Sequence, residues 1–181
     1  MKKIFFFPFL ILCVFAFTAC EEDSTDPLPI KVIGNYVILN ATQRSLDFSD
    51  LSNAAFKGTL TSPGGGIVRY ELFVRRRNPN GFNTSNFVPL ETITSFPYEL
   101  NITPEKLADA LDISVSDLQD GDIYRLIGYS YTADGTKTGF NDLSATLRNT
   151  DTMKQGYKWS TNMDATVDPL VPFNIYTPFA L

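Results

Sequence analysis

Along "IVRYELFVRRR", residues 67–77, apolar and polar positions alternate. Val68, Tyr70, Leu72 and Val74 fall on one face of an extended chain, and Arg69, Glu71, Arg75 and Arg77 on the other. The same period recurs in "FPYELNI", where Phe96, Tyr98, Leu100 and Ile102 oppose Glu99 and Asn101. A weaker case, "AAFKGTLTS", sets Phe56 and Leu60 inward with Lys57, Thr59 and Thr61 outward. "NYVILN", "FVPLETI" and "DIYRLIGYSYT" bring the set to about six strands, divided by the turn signals "SPGGG", "NPNG" and "ADGT". Many short strands at this spacing predict an all-β, antiparallel sandwich.

One segment breaks the alternation. In "TPEKLADALDISVSDLQDGD", Thr103 suits an N-cap, Pro104 the first helical position and Glu105 the positive end of the helix dipole. Leu107, Ala108 and Leu111 recur at helical spacing, which predicts a short inserted helical crossover over about 103–120. Ser114 with Asp117 suits a second turn, ended by Gly121. The string "LADALDISVSDL" resembles the first helix and turn of a helix-turn-helix DNA reader. No basic second helix follows, since Ser114 to Asp122 holds Asp117, Asp120 and Asp122 and neither Lys nor Arg.

The N-terminus follows another logic. Lys2 and Lys3 precede an apolar stretch from Ile4 to about Phe17, shorter than the roughly 20 apolar residues of a spanning helix. Thr18 and Ala19 then lead to Cys20, and carboxylates follow at once in "CEEDSTDP". Residues 1–19 thus read as a signal peptide. Residues 20–31, with Glu21, Glu22, Asp23 and Asp26 among Ser, Thr and Pro, cannot pack into a core and read as a solvated tether. Residues 32–163 form the expected sandwich domain. The segment 164–181, apolar with three prolines in "VDPLVPFNIYTPFAL", shows no strand alternation and reads as a tail.

Composition narrows the chemistry. The 181 residues contain no histidine, which removes the commonest general base and the imidazole metal ligand. Of two cysteines, Cys13 lies in the signal segment and Cys20 at its end, so the domain itself has no thiol. With 15 Lys and Arg against 20 Asp and Glu, the net charge is −5. Loss of Lys2 and Lys3 with residues 1–19 leaves 13 against 20, a charge of −7, the wrong sign for a nucleic-acid partner. With no histidine, no "SxxK" lysine and no paired carboxylates in an identifiable setting, the reading is a non-enzyme without catalytic residues or cofactor.

Candidate binding residues are few. Arg75 and Arg77 share a strand face, with Arg69 further along it, and together with Phe82 in the following turn they form the candidate ligand contact, able to hold a sulfate, a carboxylate or an acidic sugar. The competing use of these arginines is an ion pair with Glu71 or Glu91. Tyr129, Tyr131 and Trp159 are candidates for a sugar platform, with core packing as the alternative. Asp117, Asp120, Asp122 and Asp134 lie near glycines, but their spacing does not match a calcium loop, and no metal site is expected. Turn chemistry accounts for them.

Three resemblances rest on these residues. "FTAC" resembles the bacterial lipoprotein box, in which the cysteine, here Cys20, is lipidated and becomes the new N-terminus; Phe17 stands where Leu is usual. "CEEDSTDP" is similar to the export signal of surface-exposed lipoproteins of Bacteroidota. "IVRYELFVRRRNPNG", "ITSFPYELNITPEKLADALDISVSDLQDGD" and "YRLIGYSYTADGT" resemble the immunoglobulin or fibronectin-III-like lipoprotein domains of the same bacteria, which often accompany outer-membrane nutrient or glycan uptake systems of the starch-utilisation type. Two "D(S/T)x" sites similar to the O-glycosylation signal of these organisms make Ser24 and Thr152 candidate modified residues. The resemblance implies an outer-membrane, cell-surface lipoprotein held by lipid on Cys20, acting as a non-catalytic binding or accessory module for a glycan or an uptake complex. The alternative is a structural or adhesive spacer with no small-molecule ligand.

Overall fold

The computed structural model describes residues 36–79, 84–150 and 153–165. These residues are mostly β, in agreement with the all-β expectation. A three-stranded antiparallel sheet runs in the order β1 (Ile38–Gln43), β3 (Phe56–Thr61), β6 (Tyr98–Ile102). A larger sheet runs in the order β2 (Leu46–Asp47), β9 (Lys158–Asp164), β7 (Ile123–Thr132), β4 (Ile67–Arg77), β5 (Val88–Ile93), with β8 (Lys137–Thr138) also paired to β7. All of its pairings are antiparallel except β2 with β9, which is parallel.

Both sheets feed one core. Leu39, Phe56, Leu60, Leu100 and Ile102 of the smaller sheet and Tyr70, Leu72, Val74, Leu126 and Trp159 of the larger are all buried in the same cluster. Period two in the sequence supplies these positions, since every second side chain of a strand turns the same way. Trp159 stacks on Phe56 with ring centroids 6.4 Å apart, which makes it a core residue and not part of a sugar platform. Tyr70 reaches across the core, its hydroxyl donating to the Gly156 carbonyl.

The alternation of β4 holds from Tyr70 onward and fails at its start. Val68, expected inside, is 48% exposed, and Ile67 is buried in its place. The register against β7 shifts between Ile67 and Arg69, so Val68 is the extra residue of a bulge and turns outward. β6 begins at Tyr98, after the Phe96–Pro97 peptide, leaving Phe96 at its edge half-buried against the core. Three strands were not foreseen. In β9 the buried positions are Trp159, Thr161 and Met163, and the polar Thr161 masks the alternation; it is accommodated by donating its hydroxyl proton to the Arg44 carbonyl at 2.7 Å. β2 and β8 are two residues each, too short for any period to register.

The crossover forms as expected. Helix α1 (Pro104–Leu111) opens on Thr103, whose hydroxyl accepts from the Lys106 amide at 3.3 Å, and it closes on Asp112 in the left-handed region at φ 54°. It buries Leu107 and Ala108 against β4 and β5. A 3-10 turn at Val115–Asp117 follows, with the Ser114 amide donating to Asp117 Oδ2 at 3.0 Å, and Gly121 at φ 83° returns the chain to β7. A second short helix, α2 (Ala145–Asn149), precedes β9. Among the described residues no helix is long and apolar enough to cross a membrane.

Candidate functional site

The outer face of the larger sheet carries the chemistry. On β4 this face presents Glu71, Phe73, Arg75 and Arg77, and on β7 it presents Arg125, Ile127, Tyr129 and Tyr131, because these alternate with the buried positions. Arg75 stands directly opposite Arg125 in the β4–β7 register. Two like charges so placed repel, and such pairs destabilise a sheet. The Arg125 pKa is lowered, first by burial and then by the charges of Arg75 and Arg77.

A groove of about 650 Å³ lies over this pair. Its walls bring together Arg75, Arg125, Phe87, Tyr129, Phe140 and Lys158. Each comes from a different local cause. Phe87 precedes β5, and its ring carries the Arg75 guanidinium 4.7 Å from its centroid. Phe140 opens a 3-10 turn, Phe140–Asp142, which is closed by the Gly139 amide donating to Asp142 Oδ2 at 2.7 Å. Lys158 Nζ and the Arg148 guanidinium lie 4.9 and 6.0 Å from the Phe140 centroid. Tyr129 packs edge-on to Phe73 at 5.9 Å, and Lys137 Nζ lies 3.8 Å from its ring centroid. Gly139 lets the chain run against Tyr129: a Cβ there would lie 2.8 Å from the Tyr129 ring.

The ion pairs expected for the arginine run form elsewhere. Glu71 takes Arg69 at 3.2 Å and also accepts from the Tyr131 hydroxyl at 2.8 Å, while Glu91 takes Lys106 at 2.7 Å. Arg75 makes no ion pair among the described residues, and its buried Nε has no hydrogen-bond partner there. Arg77 stands opposite Ile123, outside the groove lining. Arg76 turns toward the core and bonds the fully buried Asp122, with Nε and Nη2 both 2.7 Å from Oδ2. Tyr131 lies on the same outer face beyond the groove, under the Arg69 guanidinium at 4.2 Å.

The acidic turns do not converge. Asp122 serves Arg76, Asp117 caps its own turn, and Asp120 accepts from the Ala165 amide at 3.0 Å. Asp134 accepts from the Thr132 hydroxyl and from Thr136, and these bonds, that of Thr132 foremost, lower its pKa. No group of three or more potential ligands that could hold a metal ion occurs among the described residues. Of the other candidates, Cys20, Ser24, Phe82 and Thr152 lie outside the described residues.

Arg125, Phe87, Phe140 and Lys158 were not singled out in the sequence. Arg125 carried a signal, being a cation on the polar face of a predicted strand, but its position opposite Arg75 depends on register. No family model matches this chain, and no curated protein matches it in sequence.

Proposed function

We propose that this chain is a non-catalytic binding or accessory module, anchored to the outer membrane by lipid on Cys20, facing the cell exterior and serving glycan or nutrient uptake. The groove over Arg75 and Arg125 carries this reading. Cations and aromatic rings gathered in one cleft suit the capture of a ligand, whereas a plain spacer has no need of a cleft so lined. Pockets of roughly 300–1,000 Å³ with a few convergent polar groups are the usual form of a small-ligand site, and this one has the size and the mixture of rings and cations.

The anchor rests on the sequence: a short apolar run, Cys20, then an acidic tether that would hold the domain clear of the lipid. An immunoglobulin or fibronectin-III-like identity for the domain is supported by strand order. β1-β3-β6 in one sheet and β9-β7-β4-β5 in the other correspond to the division of strands in such sandwiches. Tyr124, near the start of β7, donates its hydroxyl to Asp122 at 3.2 Å, at the place where these folds carry a tyrosine corner.

The test is a glycan array probed with the full chain in detergent micelles, alongside a Tyr129→Ala, Phe140→Ala double variant. Wild-type protein should retain at least one glycan and the variant should lose it. An array with no retained glycan would establish the spacer reading instead, and retention that ignores both rings would overturn this groove as the binding surface.

A further inference from the structure

Two oppositely charged surfaces stand on different elements of the domain. On the outer side of the larger sheet, Arg75 and Arg77 of β4, Lys137 of β8 and Arg148 of α2 make no ion pair among the described residues. Three of these cations lie by rings, Arg75 by Phe87, Lys137 by Tyr129 and Arg148 by Phe140. Arg125 and Lys158 stand among them with contacts of their own. The carboxylates nearby are fewer. Glu71 holds Arg69, Asp134 accepts from Thr132 and Thr136 in its own turn, and Asp142 Oδ2 receives the Gly139 amide.

The crossover carries the opposite sign. Glu105, Asp109, Asp112, Asp117 and Asp120 are all exposed, and none pairs with a cation among the described residues. The basic side chain of this segment, Lys106, is held by Glu91. α1 turns Leu107 and Ala108 to the core and packs on β4 and β5, which leaves its acids on the side away from the domain. Within one chain the two surfaces share no ion pair. Each also has half-buried apolar residues, Ile127, Tyr129 and Phe140 on the sheet side and Leu111, Ile113 and Val115 on the crossover. An apolar centre within a polar rim is the common build of a protein interface.

We propose that the outer face of the larger sheet receives the acidic crossover of a second copy of this chain, with Arg75, Arg77 and Lys137 set against Glu105, Asp109 and Asp112. The two halves of such a contact differ, so the pairing is head-to-tail. Each pair keeps one unused face and one unused crossover, and the product is a ring or an open row of copies. Exposed ion pairs are weak singly, so the contact depends on several at once and loosens as salt rises. Self-association of this kind is independent of glycan capture.

Sedimentation velocity of the full chain, in density-matched detergent with micelles in excess over protein, tests this. At about 50 mM salt the mass per particle should rise with protein concentration, and at about 500 mM it should fall to that of a single copy. Two charge-reversed variants, Arg75→Glu with Lys137→Glu on the sheet and Glu105→Lys with Asp109→Lys on α1, should each weaken self-association by about tenfold or more. An equal mixture of the two should associate again, because the acidic crossover of the first meets the unaltered cationic face of the second. Both α1 positions are exposed, so that variant keeps the test open should the sheet variant fail to fold. A single copy at every concentration at low salt would overturn the proposal, as would association that survives either variant or high salt. Binding of hexaglutamate without self-association would give the face to an acidic peptide in place of a second copy. Glycan retention on the array is read separately, so loss of one reading leaves the other standing.

Discussion

Arg76 and Asp122 offer the sharpest test of how the crossover is tied to the larger sheet. Asp122 has no exposed surface, and its Oδ2 receives Arg76 Nε and Nη2 at 2.7 Å each, the Gln119 amide at 2.8 Å and the Tyr124 hydroxyl at 3.2 Å. Arg76 Nη2 also donates to the Asp117 carbonyl at 2.7 Å, so one guanidinium binds β4 to both ends of the Asp117–Asp122 segment. Removing one member of a buried pair costs about 3–5 kcal/mol, because the other charge is left uncompensated. Arg76→Met should lie at the upper end, since the stranded carboxylate is fully enclosed. Asp122→Ala should cost about 3 kcal/mol, because the Arg76 side chain is 15% exposed and keeps some access to water. In the double variant no charge is stranded, so its cost should fall short of the sum by about 2 kcal/mol. Urea unfolding followed by fluorescence reads this directly, because the chain has one tryptophan and Trp159 is buried in the core. A coupling below about 0.5 kcal/mol would refute the picture of a buried, mutually dependent pair.

Gly128→Ala should destabilise by at least about 1–3 kcal/mol, since the new Cβ would overlap the Tyr70 ring, 2.6 Å from Cε2 and nearer still to the hydroxyl; an unchanged urea midpoint would show that Tyr70 can move aside. Leu72→Ala, at a position 1% exposed, should cost about 2–5 kcal/mol by the same measurement, and a loss under 1 kcal/mol would contradict its place in the core. At high pH the tyrosines decide the sign. Tyr98 is pushed up to about 12, first by its hydrogen bond to Glu91 and then by burial, so the stability it contributes is complete below pH 10 and lost as pH rises through 12. Tyr98→Phe should therefore lose stability less steeply between pH 10 and 12, and an identical slope would exclude the Glu91 bond as the cause. Cys20→Ser should move the protein out of the membrane fraction, and unchanged fractionation would remove the lipid anchor.

Local chemistry made much of the fold legible. Thr103 and Pro104 mark the start of α1 because a helix N-terminus needs an acceptor for its first amides and has no use for the proline N–H, and α1 begins there. Leu72, Val74, Leu100 and Ile102 declared their inward face by period two alone. The same rule misplaced Val68, because a bulge changes the parity of a strand and is set by the partner strand's register. It also passed over β9, where the buried Thr161 finds its acceptor at Arg44, far away in the chain.

The candidate site divides along the same line. Arg75 was visible as a cation on an outward face and Tyr129 as an aromatic available to a ligand, because each property belongs to one residue and its neighbours in sequence. That Arg75 meets Arg125, that Arg76 turns inward to Asp122 while Glu71 and Glu91 go to Arg69 and Lys106, and that the Phe140 turn closes the groove are properties of pairs. Pairing across strands follows from register and chain return, which the sequence of one strand does not contain, so only the tertiary structure could decide it.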